Sequence, residues 1–190
     1  MNDSETTSVL GISGSLRVGS YNSALLRAAI DVAPAGMTIE ILRLNDIPVY
    51  NEDVRTQGWP EAVTTLRRKI SAADAVLIAT PEYNYSVPGA LKNAVDWASR
   101  PPEQPFEGKP VAIMGASPGR LGTARAQYHL RQCFVYLNSS VLNKPEVMVG
   151  GAPSLFDDAG ELTDDETRER VSDLLLALAK AVRLARGAAE

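Results

Sequence analysis

Asp74-Ala75-Val76-Leu77-Ile78-Ala79 is a short apolar run rich in β-formers. A segment of that kind has to be covered on both sides, which is the condition of an interior strand in a parallel sheet. The adjoining stretch is equally restrictive. Thr80-Pro81-Glu82-Tyr83-Asn84-Tyr85-Ser86-Val87-Pro88 carries two prolines, and each fixes its own φ and restricts the residue before it. Pro88 suits the first turn of a helix, where a missing N–H costs nothing. Leu91, Ala94, Val95 and Ala98 then recur at helical spacing. The segment reads as a buried strand, a stiff polar loop and a helix.

The same alternation runs along the chain. Residues 8–13, 37–44, 110–116 and 145–149 read as further strands. Residues 24–33, 60–72 and 124–137 read as helices, as does a last segment ending near Arg186. Residues 45–58 read as a polar loop. Thr163-Asp164-Asp165-Glu166 is a capping box for the last helix, with Thr163 as its cap. Residues 1–7 are polar and are expected to form a flexible tail, leaving 8–190 as one domain. Five strands alternating with helices predict an α/β fold, a doubly wound five-stranded parallel sheet with helices on both faces. Ligands of such sheets bind outside the carboxyl ends of the strands, where the strand order reverses. The loops after the first and third strands both suit a ligand, which favours the flavodoxin-like order 2-1-3-4-5.

Gly14-Ser15-Leu16-Arg17-Val18-Gly19-Ser20-Tyr21-Asn22-Ser23 joins the first strand to its helix. A strand, a Gly/Ser loop and a helix start make the geometry of an anion site, because unpaired N–H groups and the positive end of the helix dipole face the loop. Ser13, Ser15, Ser20 and Asn22 add short side-chain donors, and Arg17 adds a fork suited to phosphate oxygens. The glycines at 11, 14 and 19 do not form the dinucleotide fingerprint, and no triphosphate P-loop is present. The loop therefore suits a terminal phosphate monoester. The plain alternative is a Gly/Ser turn with Ser20 or Asn22 as a helix cap. A third small-residue loop, Ser117-Pro118-Gly119-Arg120-Leu121-Gly122-Thr123, would let backbone approach a flat ring closely. Its plain alternative is a turn capped by Thr123.

These three stretches, in this order, resemble the NADPH-dependent FMN reductase family, which includes quinone and chromate reductases. The resemblance spans almost the whole chain after the tail. It implies a flavodoxin-like fold with bound FMN, and NADPH or NADH as co-substrate. Ser13, Ser15, Leu16, Arg17, Ser20 and Asn22 would form the phosphate loop. Pro81, Glu82, Tyr83, Asn84 and Tyr85 would form the flavin loop, with Asn84 and the backbone of Glu82, Tyr83 and Tyr85 toward the isoalloxazine. Ser117 and Gly119 would border the ring. The family passes a hydride from the nicotinamide to FMN and then reduces a quinone, free flavin, azo dye or chromate, so no catalytic side chain is named. It also forms homodimers or homotetramers, and Tyr50-Asn51-Glu52-Asp53 and the helix after Gly89 are the candidate contacts.

A net charge of −4 gives no reason to expect nucleic acid or an anionic membrane as partner. No apolar run is long enough to span a bilayer. One cysteine excludes an internal disulfide framework and fits a reducing, cytoplasmic compartment. One histidine and one cysteine argue against a structural zinc site, and no metal is expected. Cys133, among Leu130, Phe134 and Leu137, reads as a small buried apolar residue. His129 lacks a hydrolase pattern, and Trp97 reads as helix packing. Two other functions fit parts of these features: an FMN electron carrier without a nicotinamide site, and a flavin-free α/β interaction module.

Overall fold

The apolar run at 75–79 sits in the middle of the sheet. The computed structural model describes residues 6–188. Its strands are β1 (Thr7–Ser13), β2 (Met37–Leu42), β3 (Ala75–Ala79), β4 (Pro110–Ala116), β5 (Ser140–Val141) and β6 (Val147–Val149). The helices are α1 (Tyr21–Asp31), α2 (Glu52–Gln57), α3 (Glu61–Ala72), α4 (Gly89–Ala98), α5 (Ala124–Tyr136) and α6 (Asp165–Gly187). All pairings are parallel, and the order is β2-β1-β3-β4-β5, with β6 also paired to β4. This is the flavodoxin-like order, with its switch point between β1 and β3.

Period-two alternation assigns each strand residue to one of two cores. Val9, Leu77 and Met114 pack with Leu25 and Leu26 of α1 and with Leu174, Leu175 and Leu178 of α6. Leu10, Ile12, Val76, Ile78 and Ile113 pack on the opposite face with Leu66 and Ile70 of α3, Leu91 and Val95 of α4, and Leu130 and Phe134 of α5. Two of the helices therefore cover one face and three the other. Burial of this apolar area is the main stabilising term. The start of β3 is tied to β1 by Asp74, whose carboxylate accepts from the N–H and the hydroxyl of Ser8, both at 2.7 Å. Arg186 reaches the same carboxylate at 2.9 Å.

Several boundaries differ from expectation. Residues 1–5 of the expected tail lie outside the described residues, and Thr7 already belongs to β1, paired with Met37 of β2. Helix α1 begins at Tyr21, three residues early, because Ser20 caps it by accepting from Asn22 N–H and Ser23 N–H. Pro88 sits at the N-cap of α4 rather than inside its first turn. The fifth sheet position is filled by two short segments, β5 and β6, each holding a different part of β4. The cap of α6 is Asp164, not Thr163: the Asp164 carboxylate accepts from Thr167 N–H at 2.8 Å, while the Thr163 hydroxyl donates to the Leu155 carbonyl. Helix α2 falls where the sequence reads as polar loop. It is six residues long and buries none of them, so it leaves no apolar stripe in the sequence.

Candidate functional site

At the carboxyl ends of β1, β3 and β4 three loops enclose a cleft of about 320 Å³. Ser15, Arg17, Ser20, Tyr21 and Asn22 form one wall, Pro81, Glu82 and Tyr83 a second, and Ala116, Ser117 and Pro118 a third. Eight of the expected site residues thus meet: Ser15, Arg17, Ser20, Asn22, Pro81, Glu82, Tyr83 and Ser117. Ser13, Leu16, Asn84, Tyr85 and Gly119 are not on its walls.

The first wall is built by short local bonds. Ser13 is buried, and its hydroxyl accepts from Ser15 N–H at 3.3 Å and lies 2.9 Å from the Ser23 hydroxyl. Its role is to curl the loop, so it offers no side-chain donor to the cleft. The Ser15 hydroxyl accepts from Arg17 N–H at 3.4 Å, and the Arg17 guanidinium folds back to donate to the Gly19 carbonyl at 3.0 Å. Leu16 is exposed and does not line this wall. Helix α1 has no acidic residue in its first turn, so its positive end carries no side-chain countercharge. Asn22 departs from expectation. Its amide is 3% exposed and bonds both ways to the backbone of Ala116, donating to the carbonyl at 3.0 Å and accepting from the N–H at 2.9 Å. It joins the first loop to the end of β4 rather than presenting a free donor.

The second wall ends in a tight reversal. Tyr83 N–H donates to the Ser86 carbonyl at 3.2 Å and Ser86 N–H to the Tyr83 carbonyl at 3.0 Å. Asn84 and Tyr85 between them have φ of 49° and 66°. Two successive left-handed residues make a primed hairpin turn, and Asn is among the few non-glycine residues that accept that conformation readily. The turn carries Asn84 and Tyr85 to the rim, where Tyr85 is 68% exposed. His129 of α5 lies beside it, its Nδ1 at 3.0 Å from the Ser86 hydroxyl.

The third wall is held by glycine. Gly122 has φ +60°, and a Cβ there would lie 2.7 Å from the backbone of Met148. That loop packs directly on β6, and the Gly119 carbonyl accepts from Gly122 N–H and Gly151 N–H. Thr123 occupies the N-cap of α5 but makes no side-chain capping bond. Its hydroxyl instead accepts from Gln127 at 3.0 Å.

Outside the cleft, the stretch at 50–53 is pinned to α4. Tyr50 N–H donates to Asn93 at 2.8 Å, and Asn93 and Trp97 both donate to the Pro48 carbonyl. Trp97 is fully buried, as expected of a packing residue. Hydrogen bonds from Arg55 and Tyr50 hold the Glu52 carboxyl down at about 2. Cys133 is only partly buried, not the buried residue expected; that partial burial pushes its thiol up, which disfavours a reactive thiolate. Among the described residues no helix is long and apolar enough to cross a membrane.

Reasoning from sequence missed Tyr21, Ala116 and Pro118 as wall residues. Tyr21 follows the Ser20 cap directly, so placing the cap at Ser20 would have put Tyr21 in the first turn facing the loop. The donor set fits FMN: an uncompensated helix start with Ser15, Ser20 and Arg17 at one side, and a stiff loop opposite a small-residue loop at the other.

Similarity to known proteins runs the length of the chain. At 61% identity it resembles the NAD(P)H-dependent FMN reductase PA1204 of Pseudomonas aeruginosa, covering 97% of this chain and 100% of that protein. The quinone reductase of Escherichia coli is 46% identical over 95% of this chain and 97% of its own. Among solved structures, the flavoenzyme NAD(P)H:(acceptor) oxidoreductase FerB of Paracoccus denitrificans superposes with a TM-score of 0.86 at 34% identity, covering 95% of this chain and 99% of that one. Residues 7–154, which carry all three walls of the cleft, match the profile of one family, and the chain belongs to it: the NADPH-dependent FMN reductases.

Proposed function

We propose that the cleft holds FMN and that the protein passes electrons from NAD(P)H through it to a quinone or a free flavin. The observation that carries this reading is the meeting of three loops, from β1, β3 and β4, on one cleft whose first wall is the uncompensated start of α1. Ser15, Arg17 and Ser20, at the positive end of α1, would take the phosphate. Pro81, Glu82 and Tyr83 would face the ring on one side, and Ser117 with the backbone up to Gly119 on the other. Asn84 and Tyr85 would form the rim over which a nicotinamide or an acceptor enters. Bound FMN supplies the hydride-accepting and electron-passing chemistry. The protein's own part is to bind, orient and leave one side of the cleft open. This requires no nucleophilic side chain and no general base, and no residue is assigned a catalytic role.

The acceptor class follows the relatives, whose names give FMN and quinone as substrates. Chromate and azo dyes are further candidates of the same kind. Residues 8–190 act as one FMN-binding domain in this reading. The assembly is a homodimer or a dimer of dimers, and the setting is cytoplasmic. Val49, 85% exposed beside Tyr50, and the rigid attachment of that stretch to α4 support the contact surface. Steady-state NADPH and NADH oxidation by the FMN-loaded protein, against a panel of quinone, free FMN and chromate, tests the proposal. Turnover with a quinone or flavin supports it. NAD(P)H oxidation no faster than free FMN alone, with every acceptor, would favour an electron carrier instead.

A further inference from the structure

Helix α5 has no acidic residue in its first turn, and the Thr123 side chain at its N-cap makes no capping bond. The cap comes from another loop. One oxygen of Glu82 accepts from Arg125 N–H at 3.0 Å and from Ala126 N–H at 3.2 Å. The other pairs with the Arg125 guanidinium, and the side chain as a whole is 6% exposed. A carboxylate that far out of water is costly unless its oxygens are satisfied, and here both are.

The contact extends along the turn. The Arg125 guanidinium lies over the Tyr85 ring, 3.5 Å from its centre. His129, one turn further along α5, meets Ser86. Helix α5 therefore grips Glu82 and Ser86, on either side of the left-handed pair Asn84 and Tyr85, and Tyr85 itself. Tyrosine does not adopt positive φ without strain, and such strain persists only where the surroundings over-determine it.

We propose that Glu82 is a positioning residue: its carboxylate fastens the cleft-lining turn to the start of α5 and so fixes the shape in which Pro81, Glu82 and Tyr83 meet the flavin ring. The proposal rests on the reading of the cleft as an FMN site. It separates Glu82 from a helix cap alone. Loss of a cap frays α5 and lowers stability. Loss of a strut also frees the turn and weakens grip on the ring, with the phosphate end untouched.

The test uses the full chain as wild type, Glu82→Ala, Glu82→Gln and Glu82→Asp. Amide hydrogen exchange on the flavin-free proteins reads the turn directly. Exchange at Tyr83 and Ser86, which bond to each other across the turn, should accelerate by about tenfold or more in Glu82→Ala. Glu82→Gln keeps an accepting oxygen and should restore most of the protection. Glu82→Asp keeps the charge but is one methylene short, and should behave like the alanine variant. It serves in its place if the alanine variant does not fold. FMN and riboflavin affinities should both fall by about tenfold in Glu82→Ala, since binding must then also order the freed turn. The glutamine variant should recover most of both. Unchanged exchange at Tyr83 and Ser86 together with unchanged affinities, with only a lower melting temperature, would reduce Glu82 to a helix cap. Wild-type protein that binds neither flavin would overturn the FMN reading itself, while the exchange rates would still decide whether Glu82 holds the turn.

Discussion

Asn22 and Ala116 are joined by a two-way bond, the side-chain amide donating to the Ala116 carbonyl at 3.0 Å and accepting from its N–H at 2.9 Å. The amide imitates a strand partner where β4 runs out of the sheet. It also fixes the distance between the first and third walls of the cleft. Asn22→Ala would leave a buried N–H and a buried carbonyl without partners, each costing about 1–3 kcal/mol. The urea midpoint should fall accordingly, and both FMN and riboflavin should bind less tightly because the walls lose their spacing. A midpoint equal to that of the wild type would contradict this.

Arg17 and Ser15 should act on the phosphate alone. A hydrogen bond to a charged group contributes about 1.5–3 kcal/mol net. Arg17→Ala should therefore weaken FMN by roughly 10- to 150-fold, and adding Ser15→Ala should weaken it further without strict additivity. Riboflavin lacks the phosphate and should bind the variants as it binds the wild type. Parallel calorimetric titrations check this. Equal loss of both ligands in folded protein would remove the phosphate from this loop.

Asp74 gives the fold a measurable pH dependence. Burial alone would push its carboxyl up, but bonds from Ser8 and Arg186 bring it below the ordinary value. A carboxyl lowered on folding stabilises the protein above its unfolded value of about 3.9 and loses that contribution as the pH drops toward its folded value. Asp74→Asn should therefore be less stable than the wild type at neutral pH, and the gap should shrink below about pH 4. Urea midpoints across that range report it. A constant gap down to low pH would rule out the carboxylate as its source.

Val49 is 85% exposed in a segment otherwise pinned to α4. A chain of 20.4 kDa should scatter light as a particle of twice or four times that mass at micromolar concentration. Val49→Arg should shift the distribution toward smaller species. A particle of monomer mass in the wild type would contradict the proposed assembly.

The fold was legible where periodicity was strong. The apolar runs in β1, β3 and β4 read as buried strands because no polar residue interrupts them. Helix α2 and strand β5 left no trace because one buries nothing and the other has only two residues. At the site, the three loops and their convergence were readable from residue type and position in the strand-loop-helix order. The duties of individual side chains were not. Asn22 and Ser13 are engaged within the scaffold, and Glu82 serves a helix that begins only at Ala124. The partners of Asn22 and Glu82 lie far along the chain and depend on how the loops pack, and nothing local in the sequence encodes them.

The most direct measurement is anaerobic mixing of the FMN-loaded protein with NADPH and, separately, with NADH, followed by addition of a quinone. The flavin absorbance should bleach within seconds with at least one nicotinamide and return when the quinone is added. A flavin that stays oxidised with both nucleotides would contradict an NAD(P)H-dependent reductase and leave a protein that only carries FMN.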